Sequence, residues 1–265
     1  MEWYVAYLTL GAVAGFLGGM FGVGGGLLLV PALWMLFDAQ SFSAVHTMHL
    51  ALGTSMSTII FTSLSSLRKH HQLGAVNWQV VRRVTPGILF GTLIGALTAS
   101  LIPARGLSIF FALFVFFAAA QILLDKRPQA ARQLPGMASM SLFGTVTGWL
   151  SSLVSIGGGT LVVPFLIWCN VPIRNAIGTA SAIGFPIAVG GTIGYILTGL
   201  QVSDLPSPSL GYVFLPATLG CAISSILTAP IGAKIAHRAN VDVLRKLFAL
   251  LLIGLAAKLL WKVFG

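Results

Sequence analysis

Long apolar runs alternate along the chain with short polar connections. The runs cover about residues 3–37, 44–67, 79–102, 106–124, 137–169, 175–200, 210–233 and 241–264. Most are near the roughly 20 residues that a helix needs to cross the hydrocarbon core of a bilayer. The first and the fifth are too long for one simple span, and each contains a cluster of glycines. The pattern predicts an all-α integral membrane protein.

The two glycine clusters repeat the same order of residues. The stretch GFLGGMFGVGGGLLLVPAL contains Gly24–Gly26 and then Pro31, and the stretch GWLSSLVSIGGGTLVVPFL contains Gly157–Gly159 and then Pro164. Each glycine in a helix interior costs about 1 kcal/mol relative to alanine. The clusters therefore predict a break in each run, either a hairpin that turns inside the membrane or a discontinuous helix.

The similarity of the two halves extends beyond the glycines. The segment ALGTS at 51–55 is matched by AIGTA at 176–180. We interpret this as an internal duplication, with a first transmembrane repeat at 1–133 and a second at 134–265. Each repeat consists of a glycine-broken segment followed by three transmembrane helices. Such duplications are frequent in secondary transporters, whose sites lie at the repeat interface.

The basic residues decide how the two repeats are oriented. The sequence has 15 Lys and Arg residues, and they cluster in the connections between apolar runs. If both glycine-containing runs turn back inside the membrane, 12 basic residues fall on one side and three on the other. If they are simple spans, the counts are nine and six. The first arrangement obeys the positive-inside rule better, so we expect inverted repeats with both termini outside.

Composition excludes several classes of function. With 57% hydrophobic and 8% charged residues, the chain is a membrane protein, and its net charge of +10 belongs to loops rather than to a nucleic-acid surface. The five acidic residues lie at the ends of apolar runs, and neither the histidines nor the two cysteines have metal-ligand spacing. We therefore expect no enzyme activity, no metal and no cofactor.

The glycines can also serve a ligand. Glycine accepts positive φ and lets a ligand approach the bare backbone. The segments LLLVPAL and LVVPFL would begin new half-helices, whose free N–H groups and positive dipole end favour an anion. The alternative is that the glycines permit close helix packing, which suits Gly18 and Gly22 better than the triple glycines.

Hydroxyl and cationic side chains near the two GT segments are further candidates. Thr54, Ser55, Thr179 and Ser181 can donate hydrogen bonds to an anion, although such hydroxyls also bond to their own helix backbone. His49 and Arg174 precede the GT segments at equivalent places. An ordinary buried polar role for the histidine and a loop role for the arginine stay open. The candidate substrate-binding residues are Gly24, Gly25, Gly26, Leu27, His49, Thr54, Ser55, Gly157, Gly158, Gly159, Thr160, Arg174, Thr179 and Ser181.

The paired glycine–proline elements and the paired GT segments resemble the sulfite exporter TauE/SafE family of membrane permeases, over nearly the whole chain. The resemblance implies a multi-pass transporter of a bacterial-type inner membrane, with sulfite, a sulfonate or thiosulfate as its substrate. The chain departs from a strict duplication, since Gly22 is replaced by Ser155 and Ser55 by Ala180 in the second half. The two half-sites are therefore expected to contribute unequally.

Two other functions stay open at this point: a permease for a different organic anion, and a non-transporting membrane subunit of a larger complex. The expected partners are a small anionic substrate and the lipid bilayer, with no nucleic acid. Association with further copies of the chain is also open.

Overall fold

The computed structural model describes residues 2–124, 133–236 and 242–264. Within these ranges the chain is helical apart from one short strand pair. In chain order the elements are α1 (Glu2–Phe21), α2 (Gly26–Ala39), α3 (Thr47–Gln72), α4 (Trp78–Leu101), α5 (Ala104–Leu124), α6 (Met137–Val154), α7 (Gly159–Trp168), α8 (Ile173–Gly199), β1 (Ser209–Leu210), β2 (Val213–Phe214), α9 (Leu215–Ala236) and α10 (Asp242–Phe264).

Both long apolar runs are broken at their glycines, as the sequence predicted. The first run divides into α1 and α2, and the fifth divides into α6 and α7. The second member of each pair is short, with 14 residues in α2 and 10 in α7. At 1.5 Å per residue these helices extend about 21 and 15 Å, which is less than the hydrocarbon thickness of about 30 Å. Eight other helices are long and apolar enough to cross a membrane.

The chain returns on itself at each break. Gln40, just after α2, donates a 2.7 Å hydrogen bond to the hydroxyl of Tyr7, near the start of α1. The intervening turn therefore lies about 20 Å from this pair, in the interior of the bundle. In the second half, the rings of Phe143 in α6 and Phe165 in α7 stack with centroids 3.8 Å apart. Both broken segments are hairpins.

One end of the bundle, which we call the Tyr212 end, is formed by residues 40–49, 99–105 and 209–214 and by the end of α10. His49 contacts the carbonyl of Ala99 at 3.0 Å and stacks on the Tyr212 ring. The Arg105 guanidinium lies 5.3 Å from the ring centroid of Phe264. The start of α1 belongs to this end because of its contact with residue 40.

The opposite end, which we call the Asn77 end, is formed by residues 73–77, 133–136 and 169–172 and by the end of α9. Asn77 and Asn170 line one surface cleft together with Leu134, and Lys69 lines another with Lys234. The helix α3 runs from the Tyr212 end to the Asn77 end. The helix α8 runs in the opposite direction, since its early residue Thr179 accepts a hydrogen bond from Asn77.

The core of the bundle is the pair α3 and α8, which are the most buried of the spans. In α3, 72% of an 18-residue apolar segment is buried, compared with 28% in α10. Two further helix pairs flank this core, α1 against α9 and α4 against α6. A side chain at Gly15 or Gly19 of α1 would overlap the backbone of α9, and a side chain at Gly91 of α4 would overlap that of α6. These are the small-residue contacts by which helices pack closely in membranes.

Large apolar side chains on the outer helices face outward, among them Phe90, Leu97, Leu113 and Phe117. Such a surface suits a lipid environment. The helices and their apolar exterior make this a multi-pass membrane protein. The duplication, its inversion and the repeat boundary between residues 133 and 134 stay predictions at this point.

Candidate functional site

The two glycine turns meet in the interior of the bundle. The backbone N–H of Gly157 donates a 2.9 Å hydrogen bond to the carbonyl of Val23. A Cβ on Gly159 would lie 2.8 Å from the carbonyl oxygen of Gly22, and one on Gly26 would overlap the carbonyl oxygen of Ser155. Side chains at these places would push the two turns apart. The glycines allow the backbones of both halves to touch.

The two turns have different backbone conformations. In the first, Gly22, Gly24 and Gly25 have φ values of 71°, 73° and 83°. These are left-handed conformations that favour glycine. In the second, the left-handed residue is Ser155, with φ of 47°, and Gly158 has a φ of −57°. The triple glycine of the second turn therefore does not use the positive φ that glycine accepts. There the missing Cβ serves close contact.

A short helix begins directly after each turn. The first helical hydrogen bonds beyond the turns run from Leu29 to the carbonyl of Gly25, at 3.0 Å, and from Val162 to that of Gly158, at 2.8 Å. Leu28 also donates to the carbonyl of Gly25, at 3.1 Å, whereas the N–H groups of the residues before it in α2, and of those before Val162 in α7, have no partner within their own helix. Neither helix has a side chain that caps these groups. Leu27, in the first turn of α2, is fully buried. Two positive helix ends thus flank the meeting of the turns.

Beside the first turn lies a narrow gap with no room for a water molecule. It is lined by glycines and hydroxyls only: Gly18, Gly22, Gly24, Thr62, Ser63, Ser66, Ser181 and Gly184.

Among the hydroxyl residues predicted from the sequence, Ser181 lines this gap and lies beside the first turn. Its hydroxyl lies 3.4 Å from that of Ser66 and would lie 3.3 Å from a Cβ on Gly22. The hydroxyls of α3 in the gap are functional candidates that sequence reasoning missed. Their spacing at 62, 63 and 66, on one face of a helix, is the signal that could have identified them.

Ser55 is fully buried on α3, one turn before Ile59, whose side chain contacts the first glycine turn. The hydroxyls of Ser55, Ser151 and Ser155 are buried without a hydrogen-bond partner within the described residues. Leaving a buried hydroxyl unpaired costs about 1–3 kcal/mol. Such groups near the turns are suited to a polar ligand.

Thr54 and Thr179 lie elsewhere and have structural partners. The hydroxyl of Thr54 accepts a 3.0 Å hydrogen bond from the backbone N–H of Phe214, which precedes α9. The hydroxyl of Thr179 accepts a 2.9 Å hydrogen bond from the N–H of Asn77, which precedes α4. The glycine before each threonine lets that connection approach, because a Cβ there would overlap the backbone of Tyr212 or of Ala75. The GT segments hold the two connections in place.

His49 and Arg174 lie at opposite ends of the bundle and not at the glycine turns. His49 is buried at the Tyr212 end, with Nε2 3.0 Å from the carbonyl oxygen of Ala99 and its ring stacked on Tyr212. Arg174 is exposed in the first turn of α8, at the Asn77 end. Neither His49 nor Arg174 therefore lies at the candidate anion site. Burial raises the pKa of the Tyr212 hydroxyl, so the residue that covers His49 is uncharged at neutral pH.

Thr160 follows the second glycine turn and lines a cavity of about 130 Å³ beside α7. Its side chain is 9% exposed. This cavity reaches from Val23 and Gly159, at the meeting of the turns, to Arg245 at the start of α10. Sequence reasoning assigned Arg245 to loop charge alone and did not identify it as a cavity residue.

Two observations on the described part of the chain concern metal ligands and cysteines. No group of three His, Cys, Asp or Glu residues within the described ranges is arranged to hold a metal ion. Cys169 and Cys221 are both buried.

Comparison with known proteins gives a consistent result. The family model described as "Sulfite exporter TauE/SafE" matches residues 7–259. A protein of Haemophilus influenzae named "Probable membrane transporter protein" is 37% identical over 256 residues, covering 96% of this chain and 97% of that protein. Relatives with names of the same kind occur in Methanocaldococcus jannaschii, 29% identical over 90% of this chain and 88% of the relative, and in Bacillus subtilis, 30% identical over 85% of each. No solved structure matches the chain significantly.

Proposed function

Because the chain belongs to the sulfite exporter TauE/SafE family, we propose that it is a membrane transporter for a small sulfur-containing anion such as sulfite, a sulfonate or thiosulfate. The transporter names of its relatives support this function. We assign the anion to the region where the two glycine turns meet. Catalysis has no role in this proposal, and neither has a cofactor.

The observation that carries the proposal is the direct contact of the two turns, through the hydrogen bond from Gly157 to Val23. Two helix N-termini with uncapped N–H groups lie next to that contact. Irregular backbone at membrane depth is tolerated where it is buried in protein or lines a polar path. The site residues in this proposal are Gly24, Gly25, Gly26, Leu27, Ser55, Gly157, Gly158, Gly159, Thr160 and Ser181.

We assign a positioning role to Thr54 and Thr179. Each holds a connection that precedes a helix of the other half, and each is joined to that connection by a hydrogen bond of similar length, 3.0 and 2.9 Å. His49 and Arg174 are left outside the site, because both lie at the ends of the bundle.

The proposed architecture is a pair of inverted repeats. The helix pairs α1–α9 and α4–α6 exchange equivalent elements of the two halves, and so do α3–α9 and α8–α4. The central helices α3 and α8 run in opposite directions. An arrangement of this kind places equivalent turns face to face near the bilayer midplane, as in other secondary transporters.

The charge at the two ends predicts the orientation in the membrane. Eight described basic residues lie toward the Asn77 end: Arg68, Lys69, Arg82, Arg83, Arg174, Lys234, Arg245 and Lys246. Only Arg105, Lys258 and Lys262 lie toward the Tyr212 end among the residues described. The positive-inside rule places the Asn77 end in the cytoplasm.

Single cysteines at Gly74, Lys234 and Ser203 test this orientation. We expect a membrane-impermeant thiol reagent added to intact cells to label only position 203, and to label the other two after the membrane is opened. The native cysteines are buried, and labelling of the unmodified chain measures their background signal. Labelling of positions 74 and 234 from opposite sides would exclude the inverted arrangement.

Transport itself is tested with the purified full-length chain in liposomes. We expect counterflow of labelled sulfite or thiosulfate that excess unlabelled substrate of the same class inhibits, while sulfate and small carboxylates serve as the comparison anions. Absence of flux for every anion would favour a non-transporting subunit. Flux restricted to carboxylates would show that the substrate is a different organic anion and not a sulfur-containing one.

A further inference from the structure

A surface cleft between α3 and α9, at the Asn77 end of the bundle, has features that neither the glycine turns nor the transport proposal explains. We call it the α3–α9 cleft. It has a volume of about 480 Å³. Its walls include Arg68, Lys69 and Gln72 of α3 and Pro230, Ile231 and Lys234 of α9.

The α3–α9 cleft begins where the direct contact between the two helices ends. Nearer the middle of the bundle, the hydroxyl of Thr62 donates a 3.0 Å hydrogen bond to that of Ser225. One turn further along, the hydroxyl of Ser65 donates a 2.8 Å hydrogen bond to the carbonyl of Ile226. In an uninterrupted helix that carbonyl accepts from residue 230, which is here a proline without an N–H. The proline thus leaves an acceptor for α3 at the inner limit of the cleft.

The two walls carry three cations. Lys69 lies about one turn beyond Ser65, and Lys234 lies about two turns beyond Ile226. Since α3 and α9 run in the same direction, the two lysines differ by about 5 Å along the bundle, and packed helices are about 8–10 Å apart. Arg68 lies next to Lys69 on the α3 wall. The three positive charges therefore surround one small region.

These charges have no counter-charge in the described part of the chain. No described carboxylate lines the α3–α9 cleft, and none forms an ion pair with its cations. Lys69 donates instead to the neutral amide oxygen of Gln72, at 3.5 Å. Like charges brought together in this way repel one another, and an anion between them reverses the sign of the interaction. The cleft is therefore suited to a ligand with negative charge.

The same faces of both helices are apolar nearer the middle of the bundle. Leu227, Ile231 and Lys234 follow one another at intervals of four and three residues, so they share one face of α9. Leu227 is 68% and Ile231 53% exposed. On α3, the exposed ring of Phe61 precedes Arg68 by two turns. The cations thus form a rim above an apolar surface, which matches a molecule with a phosphate at one end and acyl chains at the other.

We propose that the α3–α9 cleft binds an anionic phospholipid, with its phosphates against the three cations and its acyl chains on the apolar faces. Basic pockets between membrane helices recognise lipid headgroups in this way. Three cations favour a headgroup with two phosphates, as in cardiolipin, over a headgroup with one. The bound lipid holds the ends of α3 and α9 together beyond the Ser65 hydrogen bond. The inference does not depend on which anion the protein transports.

The test uses the purified full-length protein in a non-ionic detergent, with cardiolipin, phosphatidylglycerol and phosphatidylcholine as probes in native mass spectrometry. Cardiolipin should bind most tightly and phosphatidylcholine least. Each basic residue near an anionic lipid contributes about fivefold in affinity. Arg68→Gln combined with Lys234→Gln removes one cation from each wall and should weaken cardiolipin binding about thirtyfold. Lys69→Gln alone should weaken it about fivefold.

Arg82→Gln combined with Lys246→Gln is the matched control. Both residues are exposed cations toward the same end of the bundle, and neither lines the α3–α9 cleft. This pair removes the same charge and should bind cardiolipin as the native protein does. Equal weakening in the two double variants would reduce the effect to net charge and overturn the site. Native cardiolipin affinity in the Arg68 and Lys234 double variant would also overturn it.

A thermal measurement and a soluble competitor complete the test. Cardiolipin should raise the unfolding midpoint of the native protein and of the control, but not that of the Arg68 and Lys234 double variant. Pyrophosphate has two phosphates and no acyl chain, so at the same concentration it should leave the bound cardiolipin in place. Displacement of cardiolipin by pyrophosphate would assign the cleft to a soluble anion and overturn the proposal.

Discussion

Residues 22–25 of the first turn and 155–158 of the second each precede a short helix, and their backbones meet, yet they turn by different means. The first turn has three glycines with φ between 71° and 83°. The second has Ser155 as its left-handed residue, while Gly158 has a φ that any residue adopts. Two similar glycine motifs thus satisfy different physical requirements. One turn needs glycine for its dihedral angles, and the other needs glycine for space.

The largest expected effect comes from Gly25→Ala compared with Gly158→Ala. An alanine at 25 would be held at φ of 83°, which costs about 1–2 kcal/mol, and its Cβ would lie 2.6 Å from the carbonyl oxygen of Ala14. Overpacking adds about 1–3 kcal/mol. We expect Gly25→Ala to abolish transport and to lower the thermal unfolding midpoint more than Gly158→Ala, because the Cβ at 158 lies 2.7 Å from the carbonyl oxygen of Ala180 but carries no penalty of positive φ.

Gly254→Ala is the control for this pair, because no atom lies within 4 Å of the added Cβ. It should retain native transport and a native midpoint. Equal midpoints for Gly25→Ala and Gly158→Ala would contradict the distinction between dihedral and spatial demands. Normal anion binding in both, with only a lower protein yield, would return the triple glycines to a packing role.

A smaller effect is expected for Thr54→Ala and Thr179→Ala. Each would leave one backbone N–H, of Phe214 or of Asn77, without its present acceptor. The loss of stability should be about 1–3 kcal/mol for either, since the two threonines do the same work in the two halves. Conversion to serine should restore stability. A fall in anion affinity without a change of the thermal midpoint would instead make the threonine a substrate-binding residue.

Ser155→Gly makes the second turn resemble the first and should have a still smaller, favourable effect. The variant removes a left-handed non-glycine residue, worth about 1 kcal/mol, and a buried hydroxyl without a partner among the described residues. We expect a higher thermal midpoint with transport retained. Loss of transport from a stable Ser155→Gly protein would show that the hydroxyl is needed by the anion.

The smallest effect is expected for His49→Gln. Proton-coupled carriers commonly use a titrating group inside the membrane. His49 is unsuited to that role, because it lies at the Tyr212 end, far from the turns. We expect the variant to retain anion flux and its independence of an imposed pH gradient. Flux that follows the pH gradient in the native protein but not in the variant would make His49 a coupling group.

Much of the helical architecture could be predicted from the sequence, because membrane spans depend on length and hydropathy. The breaks at Gly24–Gly26 and Gly157–Gly159 were predictable for the same reason, since runs that are too long must be interrupted. The candidate site was harder to predict from the sequence. The pattern of Thr54 and Thr179 indicates hydroxyls but not their partners, which lie 160 and 102 residues away in the chain.

Position 155 shows a second limit of sequence reasoning. The aligned sequences of the two halves do not reveal that the left-handed residues are glycines in the first turn and a serine in the second. Arg245 shows a third limit, because a basic residue near the end of a span has the same signature whether it serves the positive-inside rule or lines a cavity.

The most direct test of the account is the movement of thiosulfate into or out of liposomes under an imposed membrane potential. No described carboxylate lies within the span interiors, and each charge moved through 100 mV gains about 2.3 kcal/mol. We predict that the native protein, without a proton or sodium gradient, moves the dianion toward the positive side up to about a thousandfold gradient, and that Gly25→Ala does not. Flux that ignores the potential, or that continues unchanged in a folded Gly25→Ala protein, would contradict the account.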